Sequence, residues 1–232
     1  MKPKLIENPT FSPGDLVAVG DVHGRFDLLW ALIAKLRDTG VHLLFLGDLI
    51  DRAKEKGGDA VVLNIVKSLK DDPAQYGLAS VDALRGNHEQ MFLDAADSDP
   101  NDWTGSISLW AHNGGAVKFL DEMRPHAEWV RELPLFKRVD DTVFVHAGLR
   151  PNVPLEDQTR TDMVWIREPF LSRGPAGVHG ITRVIHGHTP DFENPGRVDI
   201  RKNRVNLDSG AFFSGKLTGY NHNTRQVFQV NV

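Results

Sequence analysis

Short apolar runs recur along the chain, and each one ends in a small polar turn. LVAVGDVHG (16–24), HLLFLGDLIDR (42–52), VDALRGNHE (81–89), TVFVHAG (142–148) and RVIHGH (183–188) are five instances. Runs so short and so rich in β-branched and aromatic residues predict strands buried on both faces rather than helices. Between the first three, FDLLWALIAKLRD (26–38) and GDAVVLNIVKSLKDD (58–72) carry apolar residues at three- and four-residue spacing, with Gly40 and Pro73 as stops. The order is therefore β-α-β-α-β. Further on, RVNLD (204–208), LTGYNH (217–222) and RQVFQV (225–230) read as short strands, the last two joined by a hairpin-like turn around Asn223. The pattern predicts an α/β fold of two packed mixed β-sheets flanked by helices, in a single domain spanning 1–232. DSDPNDWTGS (97–106), HNGG (112–115) and LSRGPAGVHG (171–180) are dense in turn formers and are expected to be loops, some of them bordering a cleft.

Composition narrows the chemistry. With 232 residues, 41% hydrophobic and 25% charged, the chain can bury a full core. No apolar stretch approaches the roughly 18 residues of a spanning helix, and MKPKLIENPT lacks the apolar core of an export signal, so a cytoplasmic protein without a membrane partner is expected. A net charge of −4 offers no field to recruit nucleic acid. The absence of cysteine excludes disulfides, thiolate metal sites and cysteine nucleophiles. Any metal must be held by nitrogen and oxygen.

The strand ends supply such ligands. In an α/β sheet these positions combine fixed backbone with open space, so Asp, His, Asp, Asn, His and His from the five turns can converge. Each alone has a structural explanation, since Asp after Gly suits a turn and Asn before His suits a helix cap. Turn and cap chemistry, however, never calls for histidine at three strand ends.

GDVHG, GDLIDR, RGNHEQM, FVHAGL and HGHTP, followed by NLDSGAFFSGKLTG, resemble the signature blocks of the phosphoprotein phosphatase family of calcineurin-like metallophosphoesterases, and within it the small bacterial and lambda phage-type serine/threonine phosphatases. The likeness runs in order from about residue 16 to 220. It implies a dinuclear metal site at the strand ends, with Asp21 and His23 on one ion, Asp48 bridging, and Asn87, His146 and one histidine of HGH on the other. A bridging carboxylate keeps two cations about 3.5–4 Å apart. The mixture of oxygen ligands and imidazoles suits manganese, with iron or zinc as alternatives. His186 and His188 lie two apart, so strand periodicity cannot choose between them. The residue just after a glycine is the implied ligand in GD (20–21 and 47–48) and GN (86–87); His188 fits that rule and the resemblance, leaving His186 to pack behind it.

The resemblance further implies in-line attack on a phosphomonoester by a hydroxide shared between the metals. His88 would be the general acid and Asp51 the carboxylate that orients it, while Arg52, Arg85 and Arg167 would supply forked donors to phosphate. Asp208 in NLDSG matches a family position too, but closing a turn by hydrogen bonding explains it as well, so it stays outside the catalytic set. Ala53 stands where most relatives carry the glycine of DRG, so positive φ there would strain the loop. The eukaryotic C-terminal blocks are not found in this sequence, which fits the short form, and no regulatory tail is expected. The implied activity is that of a protein serine/threonine phosphatase acting on phosphorylated proteins, with phosphotyrosine and small phosphoesters as further substrates. A symmetrical bis(5'-nucleosyl)-tetraphosphatase is the alternative within the same chemistry. Glu89, where that branch usually has aspartate, favours the phosphatase. A non-catalytic phosphoprotein-binding module would have lost one of these ligands or the acid, and none is lost.

Overall fold

A computed structural model describes residues 4–99 and 104–232, so residues 100–103 of the expected 97–106 loop lie outside the described residues. In chain order the strands are β1 (Lys4–Leu5), β2 (Leu16–Val19), β3 (His42–Phe45), β4 (Ser80–Ala83), β5 (Phe136–Val139), β6 (Thr142–Val145), β7 (Arg183–His186), β8 (Asp199–Ile200), β9 (Arg204–Asn206), β10 (Lys216–Asn221) and β11 (Gln226–Asn231). They form two sheets, ordered β1-β11-β10-β2-β3-β4 and β5-β6-β7-β9-β8. Within the first, β2, β3 and β4 run parallel and β10 pairs antiparallel with β2 and β11. In the second, β6, β7 and β9 are parallel, with β5 and β8 antiparallel at the edges. The sheets are mixed, as expected.

Alternation along each strand decides which layer a side chain joins. Leu16 and Ala18, Leu44 and Leu46, Phe144, Ile185 and Val205 meet between the sheets. Their neighbours Val17, Val19, Leu43 and Phe45 face the other way, into a core shared with helices α1 (Phe26–Leu36) and α2 (Gly58–Asp71). Val143, Val145 and Val184 face a third core outside the second sheet. Because both faces of the central strands are covered, their sequences read as unbroken apolar runs. Helix α1 buries Leu28, Leu29, Leu32, Ile33 and Leu36, the stripe its sequence spacing predicts. No helix among the described residues is long and apolar enough to cross a membrane.

Two segments differ from expectation. The pattern predicts a strand and its turn for VDALRGNHE, but a helix, α3 (Asn87–Ala96), starts inside it, and a further helix, α4 (Ser106–His112), follows. The start is fixed by Glu89, whose carboxylate at the third helical position accepts the N–H of Gly86 at 2.8 Å. The 171–180 loop also begins as helix, Phe170–Arg173, before its glycines take over.

Candidate metal centre

The parallel strands of both sheets point their C-terminal ends at one place. The chain leaves each strand there in an abrupt turn: among the described residues nine non-glycine residues have positive φ, and His23, Asp48, Asp51, Arg52 and His188 are five of them. Such backbone is unfavourable unless its surroundings hold it. Here it aims side chains out of the strand direction and toward a common centre. Ala53 is not among the strained positions, so the feared cost of alanine does not arise. Its methyl instead packs where Gly24 and Gly58 leave room, since a Cβ added to Gly24 would lie 2.5 Å from it.

Asp48 sits at the middle, 2% exposed. Its Oδ2 lies 3.7 Å from His23 Nε2 and 3.8 Å from His88 Nε2, and its Oδ1 lies 3.3 Å from His146 Nε2. The backbone N–H of His88, at the first turn of α3, donates to Oδ1 at 3.0 Å, where the helix dipole also favours negative charge. Two trios, His23–Asp48–His88 and Asp48–His146–His188, are each close enough to hold a metal ion. Asn87 joins the second trio: its Oδ1 is 2.9 Å from His146 Nε2 and 2.8 Å from His188 Nδ1. Second partners orient the imidazoles. His23 Nδ1 donates to the Ile50 carbonyl at 2.8 Å and His146 Nδ1 to the Leu46 carbonyl at 3.0 Å, which turns the Nε2 lone pair of each toward the centre.

Asp21 lies in neither trio. Its two oxygens accept the backbone N–H of His188 at 3.2 and 3.1 Å, and its carboxyl meets that of Asp208. Gly187 is obligatory at this approach, because a Cβ there would lie 2.0 Å from Asp21 Oδ1. The structure separates the two histidines of HGH. His186 ends β7 on the outer face, ring to ring with Phe170 at 5.1 Å, and its Nε2 faces buried Arg204 at 3.3 Å. The strand stops there, and His188, at φ 69°, turns to the centre.

The charge balance fits divalent cations. Burial, then Asp208 and Asp48, push Asp21 well above the carboxylate range, and burial raises Asp208 to about 6. Asp48 is held well below it: burial opposes this, and the His146 and His88 rings outweigh burial. Burial lowers His23 to about 3 and His188 well below the usual range, so both rings are neutral and able to coordinate a metal. His188 Nε2 is buried without a hydrogen-bond partner. Asp21, Asp48 and Asp208 are three buried carboxyl groups beside neutral His23 and His188, and only the raised pKa values of His88 and His146 supply compensating charge from the histidines, a donor set with room for cations. Further positive charge comes from Arg52, whose Nη1 donates to His23 Nε2 at 2.8 Å while the guanidinium lies over the Phe212 ring at 4.9 Å.

Distance alone groups His88 with the ligands, but its other nitrogen distinguishes it. His88 Nδ1 is 2.6 Å from Asp51 Oδ2, and Asp51, fully buried, accepts the Trp110 indole N–H at 2.9 and 2.8 Å on its two oxygens. Asp48 and Asp51 raise the His88 pKa against the opposing pull of burial. Nothing in the spacing of the sequence linked Trp110, in α4, to Asp51. The expected phosphate fork divides. Arg167 is exposed, close enough for its charge to depress His188, and makes no side-chain hydrogen bond among the described residues. Arg85 takes another position: its Nη atoms donate to Gln90 Oε1 and to the carbonyls of Arg131 and Leu133. These contacts tie the end of β4 to that segment, with Nε buried and unpartnered, so Arg85 serves as a structural brace in place of the expected phosphate contact.

Comparison with known proteins accords with this geometry. Residues 15–211 match the family model described as calcineurin-like phosphoesterase. The chain belongs to that family. As a calcineurin-like phosphoesterase it is 31% identical to serine/threonine-protein phosphatase 1 of Salmonella typhimurium over 217 residues, 86% of this chain and 88% of the relative. It is 35% identical over 147 residues to a symmetrical bis(5'-nucleosyl)-tetraphosphatase of Klebsiella pneumoniae, covering 60% of this chain and 44% of the relative. A solved protein serine/threonine phosphatase from Saccharomyces cerevisiae shares the fold with a TM-score of 0.58 at 17% identity, over 99% of this chain and 83% of that one. In this phosphoesterase Asp208 does close a turn, accepting the Gly210 N–H at 2.9 Å, and it also lines the metal centre through Asp21.

Proposed function

We propose that this calcineurin-like phosphoesterase is a protein serine/threonine phosphatase that works with two manganese ions. The supporting observation is the convergence on Asp48: imidazoles meet both of its oxygens, and the His88–Asp51–Trp110 relay stands at its edge. Asp48 would bridge the ions, with Asp21 and His23 on one and Asn87, His146 and His188 on the other. When bound, the two cations neutralise phosphoryl charge and bring the acidity of water toward neutral pH. Arg52 exchanges His23 Nε2 for a phosphoryl oxygen, and Arg167 approaches from the rim, each offering a fork matched to phosphate. Water, having released a proton to bulk solvent, attacks phosphorus in line with the departing alcohol, and the new P–O bond forms as the old one breaks. His88 delivers its Nε2 proton to the alcohol oxygen as the P–O bond breaks, and Asp51 holds the Nδ1 proton so that the ring keeps this tautomer.

The likeness to the Salmonella phosphatase, spanning most of both chains, supports protein substrates over the alternative. Similarity to tetraphosphatases makes a dinucleoside tetraphosphate the second reading. Glu89 does not choose between them by touching substrate, because it is wholly buried. Steady-state turnover of a phosphoserine peptide and of diadenosine tetraphosphate, each with manganese, tests the choice. A higher kcat/KM for the peptide is expected; faster hydrolysis of the dinucleotide would reverse the assignment.

A further inference from the structure

An aromatic chain leads from the metal centre to the surface. The His23 ring meets Phe212 edge-on at 5.3 Å, Phe212 meets Phe213 at 4.8 Å, and Phe213 stacks on Phe192 at 5.1 Å with an interplanar angle of 16°. Phe192 is 69% exposed and Phe213 36%, so the stacked pair offers solvent a joined apolar face. The chain is anchored from behind, since buried Arg25 donates to the Ala211 carbonyl at 2.7 Å. Three ring-to-ring steps reach as far as about four or five residues of extended polypeptide. Phe192 also walls a cleft of about 690 Å³ that starts at Thr189, next to His188.

The charge of this cleft identifies its occupant. Its lining has four acids and three arginines, a net −1. All three arginines are already engaged: Arg197 with Asp191, and Arg201 and Arg204 with Asp199. Glu168 accepts only from Ser172, and Glu193 has no cationic partner among the described residues. Such a lining repels a polyphosphate. A polyphosphate would meet lysines in the smaller cavity of about 300 Å³ beside Arg52, where Lys54, Lys56 and Lys118 gather. An apolar wall with unpaired acids suits polypeptide carrying an apolar and a basic side chain.

Resting on the phosphatase reading above, we propose that Phe192 and Phe213 with Glu193 form a specificity shelf that binds an aromatic or large apolar residue and a basic residue flanking the phosphoserine of a protein substrate. The test compares a phosphoserine peptide flanked by Phe and Arg, the same peptide with Ala and Glu in those places, free phosphoserine and diadenosine tetraphosphate. Each is assayed with wild type, Phe192→Ala and Glu193→Lys. The wild type should favour the Phe/Arg peptide. Phe192→Ala should raise KM for it roughly 3- to 10-fold, the range of one aromatic contact, with kcat and free phosphoserine turnover unchanged. Glu193→Lys should remove the preference for Arg. Equal kcat/KM for the two peptides, or an equal effect of Phe192→Ala on every substrate, overturns the shelf while leaving the phosphatase reading intact. An effect of Phe192→Ala confined to diadenosine tetraphosphate makes the shelf a base platform and overturns the proposal. Absence of turnover on any phosphopeptide overturns both.

Discussion

Glu89 is the test of how the centre is assembled. It is completely buried, and its carboxylate takes three backbone N–H groups: Gly86 at 2.8 Å and Asp48 at 2.7 Å on Oε2, and Leu49 at 2.7 Å on Oε1. It thereby clamps the turn after β3, which carries Asp48, to the start of α3, which carries Asn87. In Glu89→Gln the amide oxygen can keep the two donors on Oε2, but its NH2 then faces the Leu49 N–H, donor against donor. One hydrogen bond is lost, about 1 kcal/mol net, and a buried N–H is left unpaired at about 1–3 kcal/mol. Against this, the variant no longer buries a carboxyl whose pKa is raised by burial and by Asp48, which offsets part of the loss. A net destabilisation of about 2 kcal/mol is expected in urea unfolding with chelator present. Calorimetric titration with a divalent cation such as manganese should show affinity falling about 10- to 100-fold, the usual effect of removing support behind a ligand. Glu89→Asp, one methylene shorter, should loosen the same clamp without turning the enzyme toward dinucleotides. A loss under about 0.5 kcal/mol, typical of a neutral surface change, with unaltered metal affinity, would show that the turns hold themselves in place.

Three further outcomes are expected. His88→Asn should lower turnover by about 10²- to 10⁴-fold with two metals retained by elemental analysis; an unchanged rate removes His88 from the chemistry. Gly187→Ala places a methyl 2.0 Å from Asp21 Oδ1, so manganese affinity and thermal midpoint should both fall, and wild-type behaviour in both would contradict the close approach. Asp59 is raised to about 7 by burial and then by Asp51. Because its folded pKa lies above the unfolded one, its share of stability is present in acid and is lost as pH rises through about 7. That share is at most about 4 kcal/mol. Asp59→Asn should therefore flatten the decline of the urea midpoint between pH 5 and pH 8, and an identical slope in both proteins would refute the assignment.

The sheets and the cluster were legible in the sequence for one reason. Strands buried on both faces are written as unbroken apolar runs, and the residues that end them are free of packing, so histidine and aspartate there stand out. What failed to show depends on contacts remote in sequence. Trp110 reaches Asp51 across 59 positions, and Arg85 finds carbonyls 46 and 48 positions away, so no local pattern could separate a phosphate fork from a structural brace. Helix α3 was hidden because NHEQM lies in the same block as the strand before it, and the residue that starts the helix, Glu89, binds the end of another strand. His186 and His188 were inseparable by period alone; a single left-handed residue after Gly187 decides between them.

The donors around Asp48 come from both sheets: His23, Asn87 and Asp48 follow strands of one, His146 and His188 strands of the other. A cation pair seated there acts as a rivet through the seam of the sandwich. Chelation should then do more than silence the enzyme: it should let the two halves breathe, which protease nicking and faster amide exchange in β6 and β7 would register. The supply of divalent cation would in that way govern how long each molecule survives as well as how fast it works.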